Sequence, residues 1–391
     1  MTGIVSESLL IRPRFISFDS AHLGAAATDA AANDHARQKR ARFLETAISD
    51  SGSVIVLSYH HIEELLSHQR DEVVQQRISY IQSLPMVAAV SSFRRDGLIG
   101  AITDIQSFEI SAAFNNPLGE LLAVRDEVAK NIFRLCSGAD LLRPFLPHLA
   151  ELRQHFSDRK LRNGEIIGIS RSASAGNAGE KIVDLLKGQV RTPEGVKKQF
   201  ERLHQNLADD LRTRGDKRID NPEHSSAAFL DSVKRLGLQA VRGDNPARQI
   251  LELSGIELSD IGPETTVGDV GNMAVFRKKL ALLNEQMGFP WAALRERVPE
   301  ERLPSGVISG AIARYHPDTK EWDGSELADR HLACLAAYAD VTFVDKRTLE
   351  ASRQAKQKSK PFASVIRSIE RAADYVTIAE QLGRWAGTSN I

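Results

Sequence analysis

Two short runs of residues suited to buried strands each end on an aspartate. Near the start, Phe15-Ile16-Ser17-Phe18 leads into Asp19; far along the chain, Val341-Thr342-Phe343-Val344 leads into Asp345, followed at once by Lys346 and Arg347. β-branched and aromatic residues in such runs fill buried strands. In parallel α/β sheets the functional crevice lies at the carboxyl ends of the strands, where both aspartates would stand. Two more acids can reach that edge. Ser325 can cap a helix running to about Tyr338, with Ala328, Leu332, Leu335, Ala336 and Ala339 on one stripe and Asp329 at its border. The helix rises roughly 14 Å beyond Asp329, and the strand from Val341 to Asp345 covers roughly 13 Å in return, so Asp345 comes back level with Asp329. Asp340 lies roughly 16 Å from Asp329 along a continuous helix and is not expected to share the site. The run ending at Ser58 enters a helix whose second turn carries Glu63 and Glu64.

Carboxylates packed that closely repel one another unless a cation sits between them, and an all-oxygen set of Asp and Glu suits Mg²⁺ or Mn²⁺ rather than zinc. Ions in such a centre would activate a water and stabilise a leaving oxygen. Polyanion binding would fall to local basic clusters: Arg37, Lys39, Arg40 and Arg42, then Lys346, Arg347, Arg353, Lys356, Lys358 and Lys360. Few aromatics lie near these clusters, so base stacking is not expected. His22, His60, His61 and His331 flank the acids as surface or supporting groups, and His61 is placed to orient a glutamate.

The elements that must position these residues follow from periodicity. Residues 1–100 read as strands at 14–18, 54–58 and 86–90 alternating with helices at about 34–50, 59–69 and 71–83, the order of a parallel sheet. From about 101 to 304 helical periodicity takes over, in segments such as "LGELLAVRDEVAKNIFRLC" and "GVKKQFERLHQNLADDLRTR", with looser stretches at 169–181 and 258–272. Strand-and-helix grammar returns at 325–345, and a final amphipathic helix is predicted at roughly 361–385. The predicted fold is α/β: a Rossmann-like parallel sheet built from 1–100 and 305–391, carrying a large all-helical insertion at 101–304.

Composition narrows the function classes. The 391 residues are 42% hydrophobic, ample for packed cores. Basic and acidic residues balance at 51 each, so no global field recruits nucleic acid or membrane. The two cysteines, Cys136 and Cys334, lack metal-ligand spacing and suit a reducing compartment. No window approaches the roughly 20 apolar residues of a membrane span, and the first residues lack a basic segment with an apolar core, so a cytoplasmic protein is expected. The first strand leads into "DSAHLGAAA" without Gly-x-Gly-x-x-Gly, and "SAGNAGEK" at 174–181 lacks the spacing of a phosphate loop; neither is a nucleotide site.

The segments "FISFDS", "VIVLSYHHIEELL" and "DRHLACLAAYADVTFVDKRT" together resemble the PIN-domain superfamily. That resemblance, over about 1–100 and 320–350, implies a metal-dependent nuclease with a parallel Rossmann-like sheet and three or four acids around Mg²⁺ or Mn²⁺. By that likeness Asp19, one of Glu63 and Glu64, Asp329 and Asp345 are the catalytic and metal-holding acids, with Ser20 and Ser58 as nearby hydroxyls. A Glu followed directly by Leu, the family's register, selects Glu64, whereas helical periodicity places Glu63 beside the apolar stripe. Thr342, also expected to support the acids, stands three residues before Asp345, not in the family's Thr-x-Asp arrangement, and the helical block is absent from small family members. An RNA substrate is expected before a DNA one, with the helical block available for self-association or a regulatory partner. The competing reading is a PIN-like scaffold that uses the helical block for partner binding.

Overall fold

The computed structural model describes residues 12–175, 179–187, 192–240, 246–316 and 324–388. Its sheet contains β1 (Arg14–Phe18), β2 (Ser53–Leu57), β3 (Val87–Val90), β4 (Phe133–Cys136), β5 (Val341–Phe343) and β6 (Ser368–Glu370). The spatial order is β4-β3-β2-β1-β5-β6. Every neighbouring pair is parallel except β3 with β4, which is antiparallel. The α/β class and the mostly parallel sheet are those predicted. The chain lays β2 and β3 to one side of β1 and later returns to lay β5 and β6 on the other. This reversal at β1 is a topological switch point, and the carboxyl end of the strand there is where such sheets place a crevice.

Ile16, Phe18, Ile55, Leu57, Val87, Ala89, Val341 and Phe343 form one apolar core with residues of the helices Ser20–Ala30, His35–Asp50, Tyr59–Leu66, Asp71–Ser83 and Tyr375–Thr388. Ser17, Val56, Ala88, Val90 and Thr342 alternate with them and are equally buried. Both faces of the sheet are therefore covered, as parallel sheets require.

Two strands depart from expectation. β4 lies within a segment read as helical, of which only Leu121–Val128 is helix, and β6 interrupts the helix predicted at 361–385. Edge strands of three or four residues carry too little alternation to stand out against helical flanks. The stretch read as loose from 169 is helix as far as Ala175, and the middle of 174–181 lies outside the described residues, as do residues 1–11.

Two compact units result. One comprises Met1–Phe156, Glu301–Pro317 and Asp329–Ile391; the other comprises Ser157–Glu300 and Asp318–Ala328. The sheet unit thus extends beyond residue 100, the predicted limit, because β4 and its flanking helices belong to it. In the helical unit Leu207, Leu211 and Ile219 form one small core and Ile182, Leu251 and Ile256 another. Within that unit Arg171 pairs with Glu326 at 2.6 Å, and the Gly324 amide donates to Asp216 at 3.0 Å.

A buried carboxylate joins distant parts of the sheet unit. Glu109, on the helix Ile102–Asn115, accepts from the Ser305 amide at 3.0 Å, the Ser305 hydroxyl at 2.6 Å and the Tyr338 hydroxyl at 2.7 Å. It fixes the start of the helix Pro304–Tyr315 and the segment entering β5, so the strand carrying Asp345 returns to a defined position. All three residues are fully buried. Removing one donor from a buried acceptor costs about 1–3 kcal/mol. We expect Tyr338→Phe to lower unfolding free energy by that amount in a denaturant titration; an unchanged midpoint would show that the bond contributes nothing net.

Candidate metal centre

β1 and β5 are direct neighbours, with Ile16 opposite Val341 and Phe18 opposite Phe343. Their next residues, Asp19 and the Val344-Asp345 pair, therefore emerge side by side at the sheet edge. Each aspartate also caps the helix that follows. Asp19 Oδ1 accepts from the Ala21 amide at 2.8 Å, while Asp345 accepts from the Thr348 amide at 2.7 Å and the Arg347 amide at 3.2 Å. Capping fixes both carboxyl groups at the crevice and is a structural role in its own right.

Glu64 arrives from the helix Tyr59–Leu66. Ser20 donates its hydroxyl to Glu64 Oε2 and lies 3.3 Å from Asp19 Oδ1, so it bridges the two acids. Glu63, buried on the same helix, faces His60 Nδ1 at 3.6 Å. Geometry thus favours Glu64 over Glu63 as the acid that joins Asp19.

His61 sets the position of this helix. Its Nδ1 accepts from the Ser58 amide at 3.0 Å and lies 2.9 Å from the Ser58 hydroxyl; its Nε2 is 3.2 Å from the Phe18 carbonyl. One tautomer satisfies all of these, with the proton on Nε2. Burial first, and then the charge on His60, push His61 down to about 4, so the ring is neutral and pins the end of β1 to the helix that follows β2. Of the four residues expected to support the acids, Ser20, Ser58, His61 and Thr342, the first three lie against the acids or their elements. Thr342 differs: it pairs with Ser17 in mid-strand, and its buried hydroxyl makes no hydrogen bond to any of the acids.

The electrostatics of the cluster are unbalanced. Burial pushes Asp329 up, and Asp345, Asp19 and Glu64 push it further, to about 8. Asp329 thus lies within electrostatic reach of three of the expected acids, on three other elements. His60 is the local counter-charge. Burial would lower its imidazole, but Glu63 and Glu64 outweigh burial and hold it up at about 9. Glu64, although burial opposes ionisation, is drawn down to about 2 by His60 and Ser20. The ring of His331 stands edge-on to that of His60, with centroids 5.9 Å apart. His60 was read only as a flanking group; its i,i+3 and i,i+4 spacing to Glu63 and Glu64 was the signal for its larger role.

Among the described residues no three His, Cys, Asp or Glu side chains stand in an arrangement that would already grip a metal ion. The donor set is nevertheless all oxygen, the chemistry that suits a hard divalent cation, and Asp329 keeps its proton to about 8 beside the other acids. Asp340, excluded from the site on spacing, instead accepts from the Phe15 amide at 2.8 Å and pairs with Arg367.

The predicted basic residues divide. Arg37 and Arg40 pair with Asp29 at 2.7 and 3.0 Å, tying their helix to the preceding one. Lys39, Lys346 and Arg347 are exposed. No helix among the described residues is long and apolar enough to cross a membrane. The chain matches no family model, no curated protein and no solved structure.

Asp329 makes apo stability depend on pH. An unfolded aspartate titrates near ~3.9, whereas the folded one holds its proton up to about 8. The folded state therefore binds more protons in this window, and the stabilisation, full at the acid end, is lost as pH rises through about 8. Without metal, Asp329→Asn should gain on wild type as pH rises, its melting temperature relative to wild type being at least about 2 °C higher near pH 9 than near pH 5. A melting difference independent of pH would contradict the raised value.

Proposed function

We propose that the sheet unit is a divalent-cation-dependent endonuclease that hydrolyses phosphodiester bonds, with RNA as the first substrate to test. The observation that carries this reading is the pairing of β1 with β5, which sets Asp19 and Asp345 at one sheet edge, together with the Ser20 bridge from Asp19 to Glu64. The elevated proton affinity of Asp329 supports it. The resemblance of the acid-bearing segments to PIN-domain nucleases points the same way.

Asp19, Glu64, Asp329 and Asp345 would hold one or two Mg²⁺ or Mn²⁺ ions. When bound, such ions acidify a water and offset the charge on the phosphate. The rest is work for the chain. Capping amides fix Asp19 and Asp345; Ser20 holds Asp19 and Glu64 in register; His61 anchors their elements; Asp329 must lose its proton to become a full ligand.

One observation favours a second reading, a catalytically silent scaffold whose helical block binds a partner or another copy of the chain. Charged His60 neutralises part of the cluster, and Asp19 and Asp345 earn a place as caps without any ion. A scaffold has no need of metal, so Mn²⁺ would not raise its melting temperature.

The decisive assay incubates the protein with single-stranded and structured RNA and DNA in Mg²⁺, Mn²⁺ or EDTA. We expect metal-dependent internal cleavage, abolished by EDTA and reduced at least about 100-fold by Asp345→Asn or Asp19→Asn. Absence of cleavage with either ion, together with no Mn²⁺-induced thermal shift, would favour the scaffold.

A further inference from the structure

A groove of about 730 Å³ opens beside the acids, between the helix Lys346–Lys358 and the edge strand β6. Its near end begins at Lys346, the residue after Asp345. Lys346, Arg353 and Lys356 line one wall, and Arg367 and Arg371 flank β6 on the other. Glu350 and Glu370 are the acidic residues of the lining, so positive charge predominates.

Four of these five cations are not consumed by the fold. Arg367 is paired with Asp340. Among the described residues, Lys346, Arg353, Lys356 and Arg371 have no carboxylate within ion-pair distance, and Arg353, Lys356 and Arg371 are exposed. Four unpaired cations around one concavity repel one another and are relieved by an anion with repeated charges. Leu349, Ile366 and Ile369 provide partly buried apolar lining, and the groove has no aromatic ring on which a base could stack. From Lys346 to Lys356 the helix rises about 15 Å, long enough to lie along more than one phosphate of a strand.

We propose that this groove is the track for the sugar-phosphate backbone of a single nucleic-acid strand, held by charge and without base readout, leading to or away from Asp345. The placement deepens the nuclease reading, because it supplies the cationic path by which a polyanion would reach an acidic centre. It depends on that reading for its destination alone, not for binding.

The test is fluorescence anisotropy with a labelled ten-nucleotide single-stranded RNA and the wild-type protein in EDTA, where cleavage is not read and failure of the nuclease reading leaves the result intact. Log affinity should fall linearly with log salt, with about 0.7 of slope per phosphate contact. Arg353→Gln with Lys356→Gln should flatten the slope by about 1.4 and weaken binding about 10- to 100-fold at low salt. Arg353→Lys with Lys356→Arg, which keeps both charges, should bind as wild type and guards against misfolding. Lys130→Gln, removing a lysine paired with Glu127 in the turn before the opposite edge strand, is the neutral control. The proposal is overturned if wild type does not bind, if the glutamine pair leaves affinity and slope unchanged, or if a blunt duplex or polyglutamate binds as tightly as the single strand.

Discussion

Carboxylates at one sheet edge repel, and much of the sheet unit serves to hold several of them there. The reversal of winding at β1 makes β5 its neighbour, although more than 300 residues separate the two strands in sequence, and that adjacency forces Asp19 and Asp345 together. Burial, and after it this crowding, makes Asp329 keep its proton to about 8 rather than add another negative charge. His60 bears the opposing charge, held between Glu63 and Glu64. Ser20 and His61 then convert a repulsive assembly into a fixed one, through hydrogen bonds to Glu64, Ser58 and the Phe18 carbonyl.

The same crowding gives the site its chemical character. In the proposed centre a bound hard cation would return Asp329 to its ordinary ionised form. A scaffold could tolerate the cluster because the caps and His60 compensate part of it. What compensation of that kind leaves unexplained is the convergence of Asp329, which accepts no cap and sits on an element from another part of the chain. The basic groove beyond Asp345 adds the opposite field that a polyanionic substrate would need close to an acidic centre.

Most of this was legible in the sequence because strand ends and helix periodicity are local signals. The buried run before Asp19, the run before Asp345 and the returning helix with Asp329 each carried enough pattern to be placed, and their convergence followed from parallel-sheet geometry. The choice between Glu63 and Glu64 was not legible, since it depends on where Ser20 and His60 point across elements. β4 and β6 were hidden because edge strands of three or four residues leave little trace in periodicity. Arg37 and Arg40 resembled a free basic cluster until Asp29, on the preceding helix, was seen to face them. The groove was half visible: its helix wall lies in one basic stretch, but Arg367 and Arg371 join it only through β6.

Calorimetric titration of Mn²⁺ into the protein at neutral pH tests the proposed cation-binding centre of Asp19, Glu64, Asp329 and Asp345 without reference to any substrate. Saturable binding of one or two ions is expected, with Asp345→Asn and Asp19→Asn each weakening it at least about tenfold and Lys130→Gln leaving it unchanged. No saturable heat in the wild type, or binding indifferent to all four acids, would contradict it.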